Sequence, residues 1–151
     1  MEDCLFCKIA AGQIPSNKVY EDEDVFAFRD INPQTPVHIL VIPKAHVSSV
    51  LESDKLPAGM CDKLMHTCAQ IAKAEGLDKT GFRIVSNCGD DACQSVHHWH
   101  IHILGGRKME DKMAEAIAAY AGFATGINMR IMCILHAWYL TRMLKRGTIH
   151  T

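Results

Sequence analysis

The chain reads as an α+β domain, an antiparallel sheet with one long helix packed on it. Three observations predict this. Short runs rich in β-branched and aromatic residues recur through the first two thirds of the chain, several of them joined by short turns. Residues 53–75 break that rhythm with apolar positions at helical spacing. Finally, Gln94–Arg107 alternates His98, His100 and His102 with Trp99, Ile101 and Ile103. On a strand, that alternation puts three imidazoles on one face and three large apolar side chains on the other.

Each element follows from its residues. Met1–Gly12 opens with Cys4-Leu5-Phe6-Cys7 and continues through Ile9 and Ala10, which suits a short helix or turn ending near Gly12. Lys18-Val19-Tyr20 and Val25–Arg29 are strands, and the acidic run Glu21–Asp24 between them is a solvated hairpin turn. Asp30–Pro36 is a loop by its prolines and asparagine. His38–Ile42 is the clearest strand, a continuous apolar run ended by Pro43. From Ser53 to Glu75 a helix is expected, with Leu64, Cys68, Ile71 and Ala72 on one face. Gly76 followed by Leu77 supplies its C-cap and hydrophobic contact. Phe82–Ser86 is a further strand, Asn87–Cys93 a loop, and the histidine strand then runs to Gly105-Gly106.

Composition bounds the function. The 151 residues are 48% apolar and 22% charged, with a net charge of −1. That balance is globular and leaves no basic footprint for nucleic acid. Seven cysteines is an odd number, and no basic segment followed by an apolar run opens the chain. A reducing cytoplasmic setting is therefore expected, in which the Cys4–Cys7 pair is half of a metal site before it is a disulfide. Beyond Arg107 the pattern changes. Residues 1–109 form the expected domain, and 110–151 a divergent tail, helical by composition and broken near Gly126. Arg130 and His136 interrupt its apolar run, which speaks against a membrane span and for packing on the domain or a partner.

The histidine face admits three readings. It is a cluster of hydrogen-bonded core histidines, a metal site built from all three, or a centre for phosphoryl chemistry without a metal. The first requires that the protonation of neighbouring imidazoles be managed. The second rests on imidazole being the commonest metal ligand. In the third, a neutral imidazole attacks phosphorus and a neighbour donates to the developing charge.

QSVHHWHIHIL resembles the His-x-His-x-His motif, with apolar x, that gives the histidine triad (HIT) superfamily of nucleotide hydrolases and transferases its name. The stretches DCLFCKIAAGQIPSNKVYEDEDVFAFRDINPQTPVHILVIPKAHV and GFRIVSNCGDDACQSV resemble its branch of histidine triad nucleotide-binding proteins, the purine nucleoside phosphoramidases. The likeness spans about Asp3–Met109. It implies a five-stranded antiparallel sheet with a short N-terminal helix and one long helix, paired into a two-fold homodimer. It also implies a purine nucleotide of the AMP or GMP type as ligand, and cleavage of a phosphorus–nitrogen bond. By resemblance, His100 is the nucleophile that becomes nucleotidylated, His102 the phosphate's hydrogen-bond partner, His38 a supporting histidine, and Ser95 a residue at the leaving group. Gln94 and Asn87 fall near the phosphate. Asp30 corresponds to the carboxylate for the ribose hydroxyls, and Leu5, Phe6, Ile9, Phe28 and Ile31 to the slot for the base.

With its CxxC the chain resembles the bacterial members of this family, whose zinc site corresponds here to Cys4, Cys7, His46 and His98. Two thiolates and two imidazoles close a tetrahedron, so the zinc is structural and no catalytic metal is required. The chain departs from the family pattern in three places. Ala92-Cys93 stands where relatives usually have Gly-Gly, His97 where they often have an aromatic, and the tail lacks their short terminal segment. Two alternatives stand beside the phosphoramidase: a dinucleoside polyphosphate hydrolase of the same superfamily, and a nucleotide-binding scaffold with incidental catalysis.

Overall fold

The computed structural model describes residues 3–111; the expected tail helix lies outside them. In chain order the elements are α1 (Leu5–Ala10), β1 (Lys18–Glu21), β2 (Val25–Arg29), β3 (Val37–Pro43), α2 (Met60–Ala74), β4 (Phe82–Val85) and β5 (Ile101–Gly105). The strands form one antiparallel sheet in the order β1-β2-β3-β5-β4. This is the α+β architecture read from the sequence.

The central strands are buried on both faces, and residue parity divides them. Odd-numbered Val25, Ala27, Ile39, Val41, Ile101 and Ile103 join Trp99 in a core with Leu64, Cys68, Ile71 and Ala72 of α2. Even-numbered Phe26, Phe28, Leu40 and Ile42 form a second cluster with Phe6 and Ile9 of α1. His38–Ile42 therefore reads as a continuous apolar run because neither of its faces meets water. The even face is the one that carries the histidines.

Three expectations are corrected in detail. The helix does not begin at Ser53. Residues Val50–Lys55 make 3-10 turns, and Leu56, held extended (φ −83, ψ 156) before Pro57, separates them from α2. A residue preceding proline is driven out of the helical region, which the apolar spacing alone does not register. The C-cap is as expected: Gly76 N–H donates to the Lys73 carbonyl at 3.0 Å and Leu77 N–H to the Ala72 carbonyl at 2.8 Å. Second, the acidic turn is tied down rather than simply solvated. Lys63 of α2 reaches Asp24 at 2.6 Å and Asp22 at 3.2 Å. Third, the ladder of β5 begins only at Ile101, so His98 and His100 precede the strand. His98 N–H donates to the Val96 carbonyl at 2.8 Å and Trp99 N–H to the Val47 carbonyl at 2.7 Å, which withdraws both from the ladder. The alternation of faces survives, with Trp99 in the α2 core and Phe6 packed against His98 and His100.

A candidate active site beside a candidate zinc centre

The three histidines of the motif part into two sites. His98 is fully buried and its Nδ1 lies 3.4 Å from Cys4 Sγ, 3.4 Å from Cys7 Sγ and 3.3 Å from His46 Nδ1. Cys7 Sγ is also 3.4 Å from His46 Nδ1. A tetrahedron with ordinary zinc–sulfur and zinc–nitrogen bonds has sulfur–nitrogen edges of about 3.5 Å and nitrogen–nitrogen edges of about 3.3 Å. The four donors therefore fit zinc closely. His98 Nε2–H donates to the Pro43 carbonyl at 2.8 Å, which fixes the tautomer and turns the Nδ1 lone pair toward the thiols. Burial, opposed by that carbonyl, holds the His98 imidazole down at about 4, so its donor nitrogen stays free of protons. Burial, followed by the neighbouring Cys4, pushes the Cys7 thiol up to about 11.

The second site starts from a backbone amide. Gln34 N–H donates to His38 Nδ1 at 3.1 Å. His38 must then carry its proton on Nε2, which lies 2.8 Å from His102 Nδ1 and 3.4 Å from Asp30 Oδ2. His102 accepts at Nδ1, so its own proton sits on Nε2. That nitrogen is buried and has no hydrogen-bond partner among the described residues. A donor is thus left aimed at something the fold itself does not supply. His38 and His102 reach one another as diagonal neighbours on one face, because β3 and β5 pair His38 with Leu104 and Leu40 with His102. Their 2.8 Å nitrogen separation is that of a hydrogen bond, so the Gln34 amide, His38 and His102 form a hydrogen-bonded chain, with Asp30 Oδ2 at its side 3.4 Å from His38 Nε2.

His100 lies beside this chain, its ring 4.9 Å from that of His102 and 5.2 Å from that of Phe6. Its Nδ1–H donates to the His98 carbonyl at 2.6 Å, leaving the Nε2 lone pair without a hydrogen bond among the described residues. Burial lowers the affinity of His100 for a proton, against the pull of the His98 carbonyl and the Asp30 carboxylate. Burial also lowers His38, against Asp30, and holds His102 at about 3. All three rings are neutral at ordinary pH, which answers the protonation problem that adjacent imidazoles pose.

The remaining expected residues fall around these two sites unevenly. Phe6, Ile9 and Phe28 are buried and Leu5 half-buried in the α1 cluster, whereas Ile31 is 80% exposed. Ile9 also lines an open cleft of about 330 Å³ with Ile14, Lys18, Glu21 and Phe26. Asp30 is half-buried and accepts from Asn32 N–H at 2.8 Å, with lone pairs still available on both oxygens. Gln94 is turned inward: it accepts from Gly89 N–H at 3.0 Å and donates to the Ser48 and Val96 carbonyls at 2.7 and 3.1 Å. Its amide is committed to shaping the loop. Ser95 is exposed at the loop's end and Asn87 half-buried at its start. Cys93 takes the left-handed backbone (φ 55) at one of the positions where the resemblance expects glycine.

Sequence reasoning misses the backbone groups that set the tautomers, and it misses Ser86. Trp99 donates through Nε1 to Ser86 Oγ at 3.1 Å, and Ser86 donates to the His100 carbonyl at 3.0 Å. The available signal is that a buried indole N–H needs an acceptor.

A buried pair of neutral histidines, one presenting a lone pair and the other a proton, suits chemistry on an electrophile bearing anionic oxygens. The comparisons with known proteins say which class of protein this is. Residues 11–109 match the HIT domain. A "14 kDa zinc-binding protein" of Brassica juncea is 49% identical over 109 residues, which is 71% of this chain and 96% of that protein. "Adenylylsulfatase HINT1" of Arabidopsis thaliana is 47% identical over 107 residues, covering 70% of this chain and 72% of that protein. Among solved structures, a HIT family hydrolase from Clostridium thermocellum superposes with a TM-score of 0.72 at 42% identity, over 75% of this chain and 98% of that one. The chain belongs to the HIT family. At the level of that family it is a hydrolase, and its Cys4–Cys7–His46–His98 cluster has the donors and spacing for the zinc that relatives are named for.

Proposed function

We propose that the chain cleaves the phosphorus–nitrogen bond of purine nucleoside 5′-phosphoramidates through a nucleotidylated His100. The observation that carries this reading is the fixed pair of tautomers, His100 with a free Nε2 lone pair and His102 with an unpartnered Nε2–H, on rings 4.9 Å apart. In the first step His100 Nε2 bonds to phosphorus as the phosphorus–nitrogen bond breaks. The amine leaves with the bonding pair and takes up a proton from solvent. In the second step water attacks the phosphohistidine, the nucleoside monophosphate leaves, and the water's proton returns to solvent. His102 Nε2–H donates to a phosphoryl oxygen as charge develops there, held in that tautomer by His38 and the Gln34 amide.

The rest of the site suits a nucleotide. Asp30 offers acceptor positions for a vicinal diol. Phe6, Ile9, Phe28 and the half-buried Leu5 supply apolar walls for a base, with Ile31 exposed beside Asp30. Ser95, exposed at the loop's end, is the proposed residue at the leaving group, and Asn87 at the loop's start the one near the phosphate. Zinc, when bound, fastens α1 and its slot residues to the loop ahead of β5. It is structural here, since two thiolates and two imidazoles leave no open position. The two-fold homodimer and a cytosolic setting belong to the same proposal.

A second reading has one observation in its favour, the adenylylsulfatase name of the Arabidopsis relative. The same nucleophile would then displace sulfate instead of an amine. Turnover compared on an adenosine phosphoramidate, adenylyl sulfate and a dinucleoside polyphosphate decides between them. Preference for the phosphoramidate supports the proposal; preference for either other substrate overturns it in that substrate's favour.

A further inference from the structure

We infer that Ser86 and Trp99 form a positioning pair that holds the peptide carrying the proposed nucleophile, His100. The inference rests on the reading of the reaction given above.

The direction of the chain of hydrogen bonds is unambiguous. An indole can only donate and a carbonyl can only accept. Trp99 Nε1–H therefore donates to Ser86 Oγ at 3.1 Å, and the Ser86 hydroxyl donates onward to the His100 carbonyl at 3.0 Å. Both bonds fall where the sheet gives out. The β4–β5 pairing ends at Val85 with His102, so no ladder bond holds His100. A side chain completes the rung instead.

The two residues reach this place from different sides. Trp99 is 5% exposed and packed in the α2 core, so its indole is a fixed point. Ser86, exposed on the residue after β4, links that fixed point to the main chain of His100. The His100 ring is meanwhile oriented from the opposite end by the His98 carbonyl. Side-chain orientation and main-chain position are thus set by separate partners, and neither Ser86 nor Trp99 touches the reacting atoms. An effect of the pair belongs in the rate of the chemical step and not in substrate affinity.

The test compares Ser86→Ala, Ser86→Val and Ser86→Thr with the parent on an adenosine phosphoramidate. Loss of one neutral hydrogen bond predicts a fall in kcat of about three- to ten-fold for Ser86→Ala and Ser86→Val. KM should stay within about two-fold, and Ser86→Thr, which keeps the hydroxyl, should restore kcat. In the same proteins the Trp99 indole N–H should exchange with solvent faster in Ser86→Ala and Ser86→Val than in the parent or Ser86→Thr. Parental kcat in Ser86→Ala and Ser86→Val overturns the positioning role, as does an equal loss in Ser86→Thr or a change confined to KM. A parent with neither turnover nor a His100 adduct overturns the reading of the reaction and the positioning role with it.

Discussion

Each of the three alternating imidazoles owes its tautomer to a backbone group. The Pro43 carbonyl leaves the His98 Nδ1 lone pair turned to the thiols, the His98 carbonyl leaves His100 a lone pair on Nε2, and the Gln34 amide, through His38, leaves His102 a proton on Nε2. In the proposed reaction His102 donates where the transition state gathers charge, so His102→Ala should lower kcat by about 10²–10³-fold in steady-state kinetics. Burial of the same ring has a consequence for stability. Its folded-state value of about 3 lies below the unfolded 6.5. Between those values the unfolded chain binds a proton that the folded one refuses. Stability is therefore fully present above pH 6.5 and is lost as pH falls toward 3. One such group gives a slope of up to about 1.4 kcal/mol per pH unit. Burial lowers His98, His38 and His100 in the same direction, so urea melts from pH 7 to 5 should show a steeper slope than this in the parent and a shallower one in His102→Gln.

Among the elements, α1 is the most dependent on a ligand. It has six residues, no side-chain N-cap and only Phe6 and Ile9 buried, so helix propensity alone does not hold it. The cysteines that flank Phe6 are the proposed zinc ligands, and the Phe6 ring packs on His100 at 5.2 Å. One zinc per chain is expected by elemental analysis of the purified protein, falling well below one in Cys7→Ser, with a lower melting temperature in that variant. Loading zinc into the stripped protein should release protons, since Cys7 starts as a thiol. At the other end of the sheet, a Cβ on Gly105 would stand 2.7 Å from the Leu77 side chain that closes the C-cap of α2. Gly105→Ala should cost about 1–3 kcal/mol in urea unfolding. Much of this level was legible in the residues. Period two separates the α2 face from the histidine face, and Gly76-Leu77 marks the end of α2. The start of α2 was not, because Pro57 acts on the conformation of Leu56 rather than on apolar spacing. Nor was the partner of the acidic turn, since Lys63 lies in a different element far along the chain.

Taken whole, the described residues form one sheet between two unequal layers, α2 on one side and α1 with the histidines on the other. Among them no helix is long and apolar enough to cross a membrane. The site was legible as a set of residue types on one face, and the resemblance distributed roles among them. What sets the tautomer of each of the three histidines was not legible, because carbonyls and an amide from separate segments decide it. The proposed homodimer predicts twice the chain mass in sedimentation equilibrium. Covalent transfer of the nucleotide to His100, as proposed, is checked by intact-mass measurement after brief mixing with an adenosine phosphoramidate. A parent protein heavier by one adenylyl group, mapped to His100, is expected, and no such species in His100→Asn. Turnover of the parent with no adduct on rapid quenching, or an adduct mapped to another residue, would contradict it.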